Sequence, residues 1–236
     1  MVQVGILKII RDVFMDILQA MQQRHSVRSY LDKQIENFKI SQLNALAKEC
    51  NEQSGLNIQI ITEHPDAFDN FLAHYGKIKG AKNYIAMVGD KGKDLHEKVG
   101  YYGQKLVLLA QQLGLNTCWL ALTYSKKKSR VKVENGQKLA CIICFGYGEN
   151  QGVQHKNKPL DKVCKIDPNT PQWFKDGMSA VMLAPTAMNQ QKFWFEQKNG
   201  IVIAKAKKGF YSKMDLGIAK LHFELGAGTH NFVWGK

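Results

Sequence analysis

The sequence predicts an α+β fold, a mixed sheet flanked by helices, rather than a doubly wound parallel sheet. Three observations predict it. Helical and strand-like apolar patterns alternate along the 236 residues. The links between them are short. The one glycine cluster that could suggest a dinucleotide fold, Gly146-Tyr147-Gly148 with Gly152, lacks the spacing and the following helix of that fingerprint. With 44% hydrophobic residues and 5 prolines the chain can bury a substantial core.

The elements follow in order. Ile6, Ile10, Val13, Phe14, Ile17, Leu18 and Met21 share one helical face, with Lys8, Arg11, Asp12 and Asp16 opposite. That helix should end near residues 22–24, and residues 1–14 read as an N-terminal helical extension without an assigned role. A second helix is expected over residues 40–50, and a strand over 58–62 ended by His64-Pro65. Residues 66–79 read as helical, and residues 84–88 as a strand bounded by Gly89. A long helix over 95–113 should stop at Gly114, which suits a left-handed cap. Strand material at 119–122 and 138–146 precedes a polar, Lys-rich connector over 147–158. After Pro168 and Pro171 a helix leads toward Pro185, then strands over 193–196 and 201–205, and a last helix over 214–226.

Lys and Arg total 33 against 20 Asp and Glu, a net charge of +13 that favours anionic partners such as phosphate cofactors. The only dense basic run, Lys126-Lys127-Lys128-Ser129-Arg130, reads as a solvated loop, so no nucleic-acid partner is expected. Apolar stretches fall well short of the ~20 residues of a membrane helix. Charges interrupt the N-terminal apolar residues, so no secretory signal is read and a cytoplasmic protein is expected. Five cysteines without export signals read as thiols. Cys141 and Cys144 have redox or metal spacing, but on a strand they point to opposite faces, and no metal site is predicted.

An internal duplication is expected. Ser54, Asn57 and Gln59 match Thr186, Asn189 and Gln191 at a common offset of 132. Farther on, Gly103-Gln-Lys-Leu-Val-Leu-Leu-Ala110 pairs with Gly217-Ile-Ala-Lys-Leu-His-Phe-Glu224, each followed by a glycine (Gly114, Gly226) and a tryptophan (Trp119, Trp234).

Two segments carry the chemistry. In Arg24-His25-Ser26-Val27-Arg28, alternate positions of an extended chain would present two guanidinium groups and a hydroxyl on one face, donors suited to a phosphate. In Pro185-Thr186-Ala187-Met188-Asn189-Gln190-Gln191, a hydroxyl and amides suit the edge of a polar heterocycle. No histidine among His64, His74, His96, His155, His222 and His230 has triad-like support, and no catalytic side chain is assigned.

These segments resemble the flavin-binding signatures of the nitroreductase family. So do Leu109-Ala-Gln-Gln-Leu-Gly114-Leu-Asn-Thr-Cys-Trp119 and Lys156-Asn-Lys158-Pro159-Leu160-Asp-Lys-Val163. In that family the Pro-Ser-x-x-Asn segment follows the first motif by roughly one helix; here it lies about 160 residues later. Family subunits interlock, with each flavin between them. The resemblance therefore implies a pseudo-dimer fused in one chain, with residues 15–165 as the first half, 166–236 as a shortened second half, and the two intertwined as one globular unit.

The implied cofactor is FMN, with NAD(P)H as a transient reductant. Arg24 and Ser26, helped by Lys156 or Lys158, would hold the phosphate. Arg28 would approach the pyrimidine edge, where positive charge stabilises reduced flavin. Pro185, Thr186, Ala187, Asn189 and Gln191 would contact the ring or ribityl chain. The backbone of Ala121 and Leu122 would face the reactive ring nitrogen, and His25 would support its neighbours. The implied activity is ping-pong reduction of a nitroaromatic, quinone or related small-molecule acceptor, by a monomer or a homodimer of pseudo-dimers. The alternatives are a flavin-binding relative that dehalogenates or fragments flavin, and a non-enzymatic basic scaffold for an anionic partner.

Overall fold

The computed structural model describes residues 15–69 and 76–235. The expected extension over residues 1–14 lies outside them. Among the described residues two sheets are present, each backed by helices. The first contains β1 (Asn57–Ile61), β2 (Asn83–Asp90), β3 (Asn116–Leu120) and β4 (Gln137–Gly146) in the order β1-β2-β4-β3, every neighbour antiparallel. Helices α1 (Ile17–Gln23), α2 (Asn37–Ser54) and α3 (Leu95–Gln112) belong to this lobe. The second sheet contains β5 (Phe193–Lys198), β6 (Ile201–Ala206) and β7 (Val233–Trp234), with β5-β6 antiparallel and β6-β7 parallel. It packs with α4 (Gln172–Val181) and α5 (Ser212–Ala227).

Both faces of the first sheet are covered, which explains why β2 and β4 are apolar almost throughout. Ile85 and Met87 pack with Leu43, Leu106 and Val107 on one face, while Tyr84, Ala86 and Val88 pack with Tyr30 and Phe68 on the other. Cys141 and Cys144 divide between these faces, as their spacing requires. A register shift between Met87 and Val88 accommodates one extra residue in β4, placing Cys141 opposite Met87 and Leu139 opposite Val88.

Two expectations need correction. Residues 66–79 are not one helix. A 3-10 turn covers Pro65–Phe68, Asp69 leaves it, and Lys77 has φ 57°. Residues 76–79 serve tertiary pairing instead, because Lys79 exchanges backbone hydrogen bonds with Arg28 (2.9 Å) and Tyr30 (3.0 Å). The part of that expectation on residues 70–75 lies outside the described residues. The second helix is longer than residues 40–50, because Asn51 to Ser54 continue it to Gly55, whose φ of 72° terminates it.

The lobes meet along α3 and α5 at glycines. A Cβ on Gly100 would lie 2.0 Å from the Met214 carbonyl oxygen, and one on Gly217 the same distance from that of Glu97. Across this contact Lys220 pairs with Glu97 (2.6 Å), and the neutral ring of His222 bridges Gln104 (2.9 Å) and the Ala180 carbonyl (2.9 Å). The contact holds α5 against the edge of the first sheet, where the two sequence motifs converge.

Candidate functional site

Asp16 caps α1 by accepting from the Leu18 N–H, and the helix ends at Arg24, whose ψ of 113° turns the chain extended. The strand-like run that follows lies along β3: Ser26 bridges Thr117, and the Val27 N–H donates to the Thr117 carbonyl (3.1 Å). This pairing keeps residues 26 and 27 extended along β3. Ser26 and Arg28 line a partly open pocket with a cavity volume of about 130 Å³. Arg24 lies beside it and is 3% exposed. Among the described residues its guanidinium has no carboxylate partner, and its buried Nε has no hydrogen-bond partner. Burial pushes its pKa down to about 10, so it stays charged at neutral pH.

The opposite wall comes from the second half. After α4, Pro185, Thr186, Ala187 and Met188 enter the same pocket. Met188, Asn189 and Gln191 all adopt positive φ, between 42° and 52°. Gln191 is a clip that holds this tight turn. Its carbonyl accepts from the Lys158 N–H (2.8 Å), its amide donates to the Lys156 carbonyl (3.2 Å), and its own N–H reaches the Thr186 hydroxyl (3.1 Å). Asn189 likewise donates to the Lys156 carbonyl (2.8 Å), and the Lys158 ammonium donates to the Gln190 carbonyl. Asn189, Gln191, Lys156 and Lys158 therefore form one network beside the pocket rather than part of its lining. Ala121 lines the pocket; Leu122 is 65% exposed and lies outside the lining; His25 is half-buried beside Arg24.

The floor combines Cys118 to Ala121 of β3 and its continuation, Cys141 of β4, and Tyr211, Met214, Asp215 and Ile218 around the start of α5. Asp215, the one carboxylate on the wall, accepts from the Ala187 N–H (2.9 Å) and the Gln190 amide (2.7 Å). It ties α5 to the Pro185–Gln191 turn, a role the sequence reading missed. Its only sequence signal was its place two residues before Gly217 of the repeated helix. Nearby histidines add no positive charge: burial lowers His25 and His155, and pushes His222 down to about 3. Arg28 and Arg24 supply the field. Among the described residues no cluster of His, Cys, Asp or Glu could hold a metal ion, and no helix is long and apolar enough to cross a membrane.

Burial raises the Asp215 carboxyl from 3.8 to about 6, against the opposing pull of its two donors. A raised carboxyl binds its proton more tightly folded than unfolded. Its favourable contribution is complete below the unfolded value and is lost as pH rises through about 6. Asp215→Asn abolishes this dependence. The stability of the original chain relative to the variant should fall by on the order of 2–3 kcal/mol between pH ~4 and ~7. Urea unfolding of both proteins across that range checks it; a difference that stays flat with pH contradicts it.

Helices framing an antiparallel sheet, with a composite pocket at the sheet edge, define an α+β protein of nitroreductase-like fold. A family model described as "Putative TM nitroreductase" matches residues 16–227, and the chain belongs to this nitroreductase family. A solved Thermotoga maritima structure assigned to nitroreductases shares the fold at TM-score 0.66 and 23% identity, over 90% of this chain and 84% of its own. A nitroreductase family protein from Streptococcus pneumoniae aligns at TM-score 0.52 and 13% identity, over 64% of this chain and all (100%) of its own. No curated protein matches the chain significantly in sequence.

Proposed function

We propose that the chain is an FMN-dependent oxidoreductase that takes hydride from NAD(P)H and reduces nitroaromatic, quinone or related acceptors by a ping-pong route. One observation carries this reading. Ser26 and Arg28, from the N-terminal motif, and Pro185, Thr186 and Ala187, about 160 residues on, are walls of one pocket flanked by a buried, uncompensated arginine. A buried cation with no carboxylate partner and an unpaired Nε is costly, and a bound phosphate would satisfy it.

FMN, when bound, supplies the hydride chemistry. Arg24 and Ser26 would hold its phosphate, and Arg28 would place positive charge against the ring edge that becomes anionic on reduction. Thr186 and the Ala187 backbone would border the ring from the second half, and Ala121 from the first. The Gln191 and Asn189 amides, with Lys156 and Lys158, would act at one remove by fixing the turn that carries Thr186 and Ala187. Asp215 would hold that turn to α5. Exchange of NAD(P)H for acceptor needs no second nucleotide domain.

The same reading treats the chain as a duplicated pseudo-dimer, with residues 15–165 and 166–236 as its halves and one composite site. Gly103 and Gly217, matched in sequence, differ by 114 positions. So do Gly100 and Met214, which touch where α3 crosses α5, as helices related by a pseudo-twofold would. The strand orders agree only in part, because β4 separates β2 from β3 and nothing separates β6 from β7. β1-β2 and β5-β6 are antiparallel pairs after α2 and α4. β7 runs parallel to β6, as β3 does to β2 across β4.

The test is the visible absorption spectrum of the protein after incubation with FMN, followed by anaerobic titration with NADPH and NADH and quantitation of released FMN. A yellow protein with about one FMN per chain that bleaches is expected. A colourless protein that takes up no FMN sinks the proposal. Two FMN per chain would remove the single composite site.

A further inference from the structure

One wall of the pocket contains chemistry that flavin binding does not use. Cys118 on β3 and Cys144 on β4 are directly opposed in the antiparallel register, so both side chains emerge on the same sheet face. Directly opposed residues have Cα atoms about 4.5–5.5 Å apart, inside the about 4.4–6.8 Å span of a disulfide. Both are free thiols, and the Cys118 thiol donates to the Trp119 carbonyl (3.7 Å). Cys144 also approaches the Cys118 carbonyl (3.5 Å) and lies 3.2 Å from the Tyr30 hydroxyl.

The two sulfurs are not equivalent. Cys118 borders the pocket, although it is only 2% exposed, while Cys144 is fully buried and does not line it. The adjacent Cys144 thiol, then Arg28, Arg24 and Ser26, favour the Cys118 thiolate and lower its pKa against the opposing effect of burial. Burial and the neighbouring Cys118 sulfur hold Cys144 protonated. A cysteine whose thiolate is favoured by nearby arginines at a pocket wall, with a thiol directly across the ladder, is the arrangement of an attacking and a resolving cysteine. The other cysteines lack it. Burial pushes the Cys50 and Cys164 thiols up to about 11, and Cys141 higher still.

The geometry points to Cys118 and Cys144 as a redox-active dithiol that a small hydroperoxide entering the pocket closes to a cross-strand disulfide. The Cys118 thiolate attacks the peroxide, breaking its O–O bond. It becomes a sulfenic acid while one oxygen leaves as water or an alcohol. The Cys144 sulfur then displaces the sulfenic hydroxyl, forming the S–S bond and releasing water. Two thiols are oxidised and one peroxide is reduced, with the thiol protons leaving in the products. A soluble dithiol returns the pair to its starting state. This assignment does not depend on the flavin reading.

Purified full-length chain treated with hydrogen peroxide, alkylated under denaturing conditions and mapped without reduction tests the pair. The expected product links the Cys118 and Cys144 peptides and loses two hydrogens in mass. It should form at least about tenfold faster than oxidation at Cys50 or Cys164, and dithiothreitol should reverse it. Cys144→Ser should trap Cys118 as a sulfenic acid captured by dimedone, and Cys118→Ser should leave Cys144 alkylatable. Cys118 remaining a thiol, oxidising in the original chain without engaging Cys144, or reacting no faster than Cys50 overturns the proposal.

Discussion

Arg24→Met is expected to separate ligand binding from folding in opposite directions. Arg24 is 3% exposed, still charged at neutral pH with its pKa lowered only to about 10, and has a buried Nε without a partner. Folding without a ligand must therefore remove a charge from water with only the nearby Cys118 sulfur to offset it. Exchanging such a group for an apolar one of similar length stabilises proteins by about 1–4 kcal/mol, and the FMN-free variant should gain a fraction of that range in urea unfolding. FMN affinity should fall by about 100-fold, the loss of roughly two charge-assisted hydrogen bonds. Arg24→Lys should fall between, keeping the charge but losing the planar fork. Fluorescence titration with FMN and unfolding of the ligand-free chain read the two effects independently. A variant that binds FMN as tightly as the original chain removes Arg24 from the site. One that unfolds more easily without FMN shows that the arginine already has a compensating partner.

That contrast also explains what the sequence could reveal. That Ser26 and Arg28 reach one pocket was legible because alternation in an extended chain is a local property, and the backbone pairing with Thr117 preserves it. The strands and α3 were legible for the same reason: the faces of Ile85 and Met87, or of Cys141 and Cys144, follow from period two alone. What escaped depends on distant partners. Asp215 reads as an ordinary acidic residue in the first turn of a helix until the fold brings Ala187 and Gln190 to it. Gln191 looks like a ligand amide, yet its hydrogen-bonding capacity is directed at residues 156–158. Residues 76–79 gave a helical pattern, but their pairing with residues 28–30 decides their conformation.

Gly100→Val should have the largest effect on stability, because the pocket floor depends on how closely α3 and α5 approach. The glycine makes no ligand contact. A Cβ there would lie 2.0 Å from the Met214 carbonyl oxygen, 2.9 Å from its carbon and 3.1 Å from the Ile218 nitrogen. These are backbone atoms of a helix, so no side-chain rotation relieves the clash. Gly217 meets Glu97 and Tyr101 backbone in the same way from the other side, at 2.0 Å and 2.8 Å. Separating the helices would open the contacts made by Lys220 with Glu97 and by His222 with Gln104. It would also carry Met214, Asp215 and Ile218 away from β3, since they occupy the same stretch of α5 and line the pocket. Valine at position 100 should cost about 4 kcal/mol or more, and alanine less, because its helix propensity returns only about 1 kcal/mol. Gly55→Ala is the control: its Cβ meets nothing within 4 Å, so it bears only the penalty of its left-handed φ of 72°, about 1–2 kcal/mol. Chemical unfolding orders the three variants. If alanine at position 100 proves as stable as the original chain, the helices do not make backbone contact there, and the pocket floor must be held by other means.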